Sequence, residues 1–195
     1  MDSPCLRLMG PAILLKLGGA LLTIKSQHRT LDKAAISTIS SALIRSLENG
    51  NDIIVVLGAG SFGHTWASHL RLSEGRLKNW TPPARTSWGE DTLTQEEGVN
   101  SIRTDLDKLR LLLVSQLEER GASVKQISGR GLCKCDSKGK YIWHTEELIN
   151  FPLNSRSANP SIFLTGGDVI NHQGYKEFSI LSGDEIMRYF TSKFK

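Results

Sequence analysis

Apolar residues along this chain recur with two periods, and the switches between them mark out its elements. Ala12 to Leu17 is a short apolar run with a glycine pair behind it, which predicts a buried strand. Leu31 to Asn49 places Ile36, Ile39, Leu43 and Leu47 on one helical face, and Asn49-Gly50 supplies a stop. Ile53 to Leu57 predicts a second buried strand, again ending in glycines. A helix is expected from near Gly63 through the Trp66 to Leu70 region, followed by a loop over Asn79 to Gly89 with Pro82 and Pro83. From Gln95 to Arg120, Ile102, Leu106, Leu109, Leu113 and Leu117 recur at three- and four-residue steps, a strongly helical pattern closed by Gly121. Ser123 to Ile127 predicts a third strand, and Ser128 to Lys140, rich in Gly and Lys, an exposed connection. Ser161 to Leu164 predicts a fourth strand, and Val169 to Leu181 a hairpin turning around Asn171 to Gly174. A final helix is expected after Ser182-Gly183-Asp184, carrying Ile186, Met187, Tyr189 and Phe190.

Strands alternating with helices argue for an α/β fold: a layered, mostly parallel sheet with helices on both faces. Repeats and low-complexity tracts are absent and no linker stands out, so residues 1–195 read as one domain. With 39% apolar and 23% charged residues, the composition is that of a globular protein. The net charge of +4 is modest and suits a binder of small anions better than a nucleic-acid protein, whose basic residues gather on one face. No apolar run approaches the roughly 18 residues that cross a bilayer. The Leu-rich stretch Pro11 to Ile24 invites a signal-peptide reading, but Asp2 precedes it and Lys16 interrupts it, so a buried first strand is expected instead. The three cysteines, Cys5, Cys133 and Cys135, make no disulfide framework and point to a reducing, cytoplasmic setting. Cys133-Lys134-Cys135 with His144 offers half a metal site, but no second cysteine pair follows, and incidental loop thiols are expected.

In open α/β sheets, ligands bind beyond the carboxyl ends of the strands. Three of the predicted strands end in glycine: Gly18-Gly19, Gly58-Ala59-Gly60 and Gly166-Gly167. Glycine lets backbone approach a ligand and turn its N–H groups towards it, so three such turns at one sheet edge point to a polyanionic ligand. Gly58 to Gly63 also satisfies G-x-G-x-x-G. A dinucleotide site, however, needs a following strand that ends in an acidic residue about 20 residues on. Here a helix and a proline-containing loop follow. A Walker A loop is absent as well, since no G-K-[ST] follows the glycines.

Lys16 lies inside the first strand, where a charge needs a partner unless it snorkels at the strand end. Lys25 follows in the same loop, with a plain surface lysine as its alternative. His64 stands at the mouth of the second glycine turn, placed to donate to phosphate. Asp184 fits an N-capping role, while His28, His69 and His172 read as surface residues.

These residues form a recognisable set. Leu15-Lys16-Leu17-Gly18-Gly19 with Thr23-Ile24-Lys25, Gly58-Ala59-Gly60-Ser61-Phe62-Gly63-His64, Gly167-Asp168-Val169-Ile170, and Ile180-Leu181-Ser182-Gly183-Asp184-Glu185 resemble the amino acid kinase superfamily. Within it they most resemble the isopentenyl phosphate kinases. The resemblance implies a three-layer αβα sandwich and Mg²⁺-assisted transfer of the ATP γ-phosphoryl group to isopentenyl phosphate, a small phosphorylated isoprenoid. It implies that Lys16 holds the transferring group, that Lys25 steadies transition-state charge, and that Gly18, Gly19, Ala20 and Gly60 line the ATP phosphates. Ala59, Gly60, His64 and Gly183 would hold the acceptor phosphate, and Asp184 would orient the lysines. Leu57, Ala59, Ala20 and Thr165 depart from the residues usual in the family. The resemblance further implies that the chain is the N-terminal, acceptor-binding portion, with the C-terminal nucleotide lobe largely missing, weak or no turnover, and possible homodimers. A superfamily kinase with another acceptor, or a non-catalytic binder of phosphorylated ligands, remains as an alternative.

Overall fold

The computed structural model describes residues 12–24, 27, 29–144 and 160–193. Four strands, β1 (Ile13–Leu17), β2 (Ile53–Leu57), β3 (Ser123–Gln126) and β6 (Ser161–Gly166), form the central sheet in the order β1-β2-β6-β3. Every pairing in it is parallel, with Ile13 opposite Ile53 and Ile53 opposite Ile162. All five residues of β2 are buried, as its continuous apolar run requires when both faces are covered.

The covering layers explain the alternation. Val55, Leu57, Ile162 and Leu164 face one way, into a core with α2 (Lys33–Glu48) and α4 (Gln95–Glu118). Ile54, Val56 and Phe163 face the other way, against Ile186 and Phe190 of α6 (Gly183–Lys193). Each fully buried Leu, Ile or Phe contributes roughly 1.5–3 kcal/mol over an exposed one. The result is the three-layer αβα sandwich expected from the sequence. A third core lies past the carboxyl edge of the sheet, where Phe62 and Trp66 of α3 (Gly60–His69) meet Ile102 and Leu106 of α4 and Val169 of a hairpin formed by β7 (Asp168–Asn171) and β8 (Phe178–Leu181). That third core holds α3 and α4 over the strand ends, and so shapes the site.

Local signals set the boundaries. Asp32 caps α2 by accepting from Ala35 N–H at 2.9 Å. Thr94 and Glu97 form a reciprocal capping box on α4, which also holds the Glu97 carboxyl below its ordinary range. Gly50 and Gly121 follow α2 and α4 with φ of 88° and 85°, left-handed values that glycine adopts without strain.

Three expectations change. The helix expected from near Gly63 starts at Gly60, because Gly60 takes a left-handed φ of 54° and turns the chain early. Ser128 to Lys140 is not an exposed connection. It contains α5 (Gly129–Leu132) and β4 (Cys133–Cys135), which pairs antiparallel with β5 (Tyr141–Trp143). Strand alternation buries Cys133 and Cys135 together and leaves Lys134 half-exposed between them, so the thiols belong to the core beneath α6. His69 and His172 are not surface residues. His69 is half-buried edge-on to Trp66 and Trp88 with Nε2 2.9 Å from Thr92 Oγ1, and His172 is buried just after β7. Cys5 and His28 lie outside the described residues.

Candidate active site

The two glycine turns at the carboxyl ends of β1 and β2 touch back to back. A Cβ on Gly19 would lie 2.1 Å from Gly60 N, and one on Gly58 would lie 2.7 Å from Gly19 N. Only glycine allows that approach. Thr23, 2% exposed, staples the turns: its Oγ1 donates to the Gly19 carbonyl at 2.8 Å and accepts from Ser61 N–H at 3.1 Å. A hydroxyl is one of the few groups that can do both at once. The methyl of Ala59 sits above Gly63, where a second Cβ would lie 2.7 Å from it, so residue 63 must lack a side chain.

Lys16, one residue before the end of β1, extends along the face covered by α6. Its Nζ lies 2.6 Å from Asp184 Oδ1. Asp184 occupies the first turn of α6. The capping role expected of it belongs to Ser182, whose Oγ accepts from Glu185 N–H at 3.2 Å. The Lys16 ammonium, through the hydrogen bond and its charge, holds the Asp184 carboxyl below its ordinary range. With side chains 34% and 65% exposed, the pair is screened by water and serves to aim the ammonium more than to stabilise the fold.

A hollow of about 170 Å³ opens beside this pair. Its polar lining is Lys16, His64, Asp168, Ser182 and Asp184, with glycine backbone at Gly18, Gly19 and Gly183. Its apolar walls are Ala67, Ile102, Leu106, Val169 and Ile180, from α3, α4 and the hairpin. A larger open cleft of about 790 Å³ also reaches His64 and is bounded by Ala20, Gly60, Ser61 and Trp88. Gly18, Gly19 and His64 line both. Of the residues the sequence singled out, Lys16, Gly18, Gly19, Ala59, His64, Gly183 and Asp184 share the smaller hollow, while Ala20 and Gly60 line the open cleft. Lys25 lies outside the described residues.

Sequence reasoning assigned no role to a charged cluster that begins at the wall of the hollow with Asp168. Asp168, fully buried, accepts from Arg130 Nη1 at 2.9 Å and from Arg130 N–H at 3.2 Å. Arg130 Nη2 also reaches Asp107 Oδ2 at 2.5 Å, and Asp107 pairs with the buried Arg110. Burial pushes the Arg110 guanidinium down, and the charges of Asp107 and Asp168 oppose that push. The cluster ties α5 and the hairpin to α4 and fixes the wall that carries Val169. One signal was available: an acidic residue straight after a buried strand needs a cationic partner.

The cysteine strand is chemically quiet. Burial, with the neighbouring Cys135, pushes the Cys133 thiol up to about 12, and His144 Nδ1 lies 3.1 Å from the Gly131 carbonyl oxygen. Among the described residues no group of three or more His, Cys, Asp or Glu side chains is placed to hold a metal ion. No described helix is long and apolar enough to cross a membrane.

Comparison with known proteins identifies the family and the fold. Isopentenyl phosphate kinase of Methanothermobacter thermautotrophicus is 24% identical over 180 residues, covering 92% of this chain and 62% of the relative. The enzyme of the same name from Haloferax volcanii is 26% identical over 178 residues, covering 90% and 62%. The chain thus spans 62% of the length of each of these curated relatives. A solved isopentenyl phosphate kinase structure superposes with a TM-score of 0.73 at 21% identity, covering 95% of this chain and 68% of that one, which shows the fold. The amino acid kinase family model matches residues 11–195, and by that match across nearly its whole length the chain belongs to the amino acid kinase family.

Proposed function

We propose that this chain is the acceptor-binding portion of a kinase that transfers the γ-phosphoryl group of ATP to isopentenyl phosphate, giving isopentenyl diphosphate. One observation carries the reading: a single small hollow is lined both by the Lys16 ammonium and the His64 imidazole and by the apolar side chains of Ala67, Ile102, Leu106 and Val169. That is the shape and chemistry of a phosphate monoester bearing a short hydrocarbon chain. A carboxylate acceptor would give His64 less to do.

The chemistry asks little of the protein beyond placement. The second pKa of a phosphate monoester is about 6, so the acceptor is largely dianionic at pH 7 and needs no general base. An acceptor oxygen bonds to the γ-phosphorus as the bond from that phosphorus to the β-bridging oxygen breaks, and ADP leaves with the electron pair. The obstacle is bringing two anions together. Lys16, aimed by Asp184, supplies positive charge in the hollow, His64 offers a ring nitrogen as a hydrogen-bond partner, and backbone at Gly18, Gly19 and Gly183 lets phosphoryl oxygens approach closely. Lys25 takes a role in the same transition state only through the family resemblance. Mg²⁺ would accompany the nucleotide, bound through ATP phosphates and water as is usual for this ion. The described residues build no carboxylate cage for it, and none of these roles depends on one.

The test mixes the chain with ATP, Mg²⁺ and isopentenyl phosphate and follows the diphosphate by phosphorus NMR, with calorimetry of isopentenyl phosphate alongside. Product formation establishes the kinase reading. Binding without product favours a non-catalytic phosphate-ligand protein. Neither binding nor product rejects both.

A further inference from the structure

The open cleft runs along one face of α3, where Ser61, Thr65 and Ser68 succeed one another at steps of four and three residues. Their hydroxyls differ in their commitments. Thr65 Oγ1 donates to the Ser61 carbonyl at 3.1 Å, and Ser68 is exposed to water. Ser61 is 6% exposed, and its Oγ has no hydrogen-bond partner. Its backbone is already engaged, with the N–H on Thr23 Oγ1 and the carbonyl accepting from Thr65. A buried hydroxyl left in this state loses its water and gains nothing in return. Ser40 and Thr165 also carry buried hydroxyls without partners, but neither lines the hollow or the cleft.

The position of Ser61 supplies a reason. It lies in the first turn of the ten-residue α3, where the helix dipole favours an anion, beside the glycine pair Gly18-Gly19. It lines the open cleft and not the apolar hollow. A serine hydroxyl has three staggered positions on one Cβ, so it can turn to a ligand without backbone movement.

We propose that the Ser61 hydroxyl is a phosphate ligand, donating to a phosphoryl oxygen of the polyphosphate in the open cleft, away from the acceptor phosphate. The assignment rests on the kinase reading for the identity of the ligand, and its test separates the two.

The full chain, S61A and S40A are compared by thermal unfolding without ligand and by calorimetry with Mg²⁺-tripolyphosphate and, separately, with isopentenyl phosphate. Tripolyphosphate is the probe because it carries no base or ribose. S61A is expected to unfold at the same temperature as wild type or higher, to bind tripolyphosphate about tenfold more weakly, and to bind isopentenyl phosphate within about twofold of wild type. S40A is expected to leave both affinities unchanged. Unaltered tripolyphosphate binding by S61A, equal loss of both ligands, or a lower unfolding temperature overturns the assignment. Wild-type chain that binds isopentenyl phosphate but not tripolyphosphate overturns it and leaves the kinase reading standing. Loss of tripolyphosphate binding in S61A, where wild type shows no affinity for isopentenyl phosphate, upholds the assignment and rejects that acceptor. Wild-type chain that binds neither ligand overturns both.

Discussion

Thr23→Val removes one oxygen and keeps the side-chain shape. In the folded protein that oxygen serves two groups: the Gly19 carbonyl at 2.8 Å and Ser61 N–H at 3.1 Å. The losses are unequal. The Gly19 carbonyl still accepts from Thr23 N–H at 3.0 Å and is only under-satisfied. Ser61 N–H is left without its partner in a buried position, which costs about 1–3 kcal/mol. Adding a smaller amount for the carbonyl and allowing for the gained methyl, the variant should lose about 2 kcal/mol. For a domain of this size that is a fall of about 4–8 °C in the unfolding temperature. Urea denaturation followed by circular dichroism measures it, with an unchanged slope showing that the same structure unfolds. Thr23→Ser keeps the oxygen and should recover most of the loss. Phosphate affinity should fall with stability in the valine variant, since the two glycine turns are no longer pinned. A loss below about 0.5 kcal/mol, or a serine variant as unstable as the valine one, would show that the hydroxyl does not hold the turns together.

Other variants probe the lining of the hollow. His64→Ala should weaken isopentenyl phosphate more than ATP, and calorimetry showing the reverse order would contradict the acceptor role of His64. Ala67→Leu adds bulk to an apolar wall of a hollow of only about 170 Å³. It should weaken isopentenyl phosphate while sparing inorganic phosphate, and equal loss of both would remove the tail assignment. Cys133, with its thiol raised from 9.0 to about 12, should react with iodoacetamide at pH 8 far more slowly in the folded chain than in denaturant. The sign for stability follows. Between those two values the unfolded thiol gives up its proton and the folded one keeps it, so this group destabilises the fold increasingly as pH rises above about 9. A Cys133→Ala variant that loses stability above pH 9 as steeply as wild type would refute that link.

The elements that declare themselves in sequence are those whose burial is continuous or strictly periodic. Ile53–Leu57 is buried on both faces and could be little else than a central strand. Ile102, Leu106, Leu109, Leu113 and Leu117 mark the one stripe of α4 that meets the sheet and α3. The glycine turns could be found because each follows such a strand, and Lys16 because a charge within one needs a reason. The strand Cys133–Cys135 was hidden for the opposite cause: three residues are too few to show a period, and the Gly and Lys around them suggest solvent. The Asp168–Arg130–Asp107 cluster joins residues 23 to 61 positions apart, and pattern reading has no means of pairing them before the fold is known. Thr23 and Ser61 sat within recognised motifs, yet their roles rest on whether a single hydroxyl finds a partner, which only coordinates reveal.

The most direct test of the central claim compares isopentenyl phosphate with inorganic phosphate in calorimetric titrations of the unmodified chain at pH 7. Burying a five-carbon chain at about 0.8 kcal/mol per methylene, even with most of that gain lost to ordering, should make isopentenyl phosphate bind at least tenfold more tightly. Equal affinities would mean that the polar lining and the apolar walls are not one site.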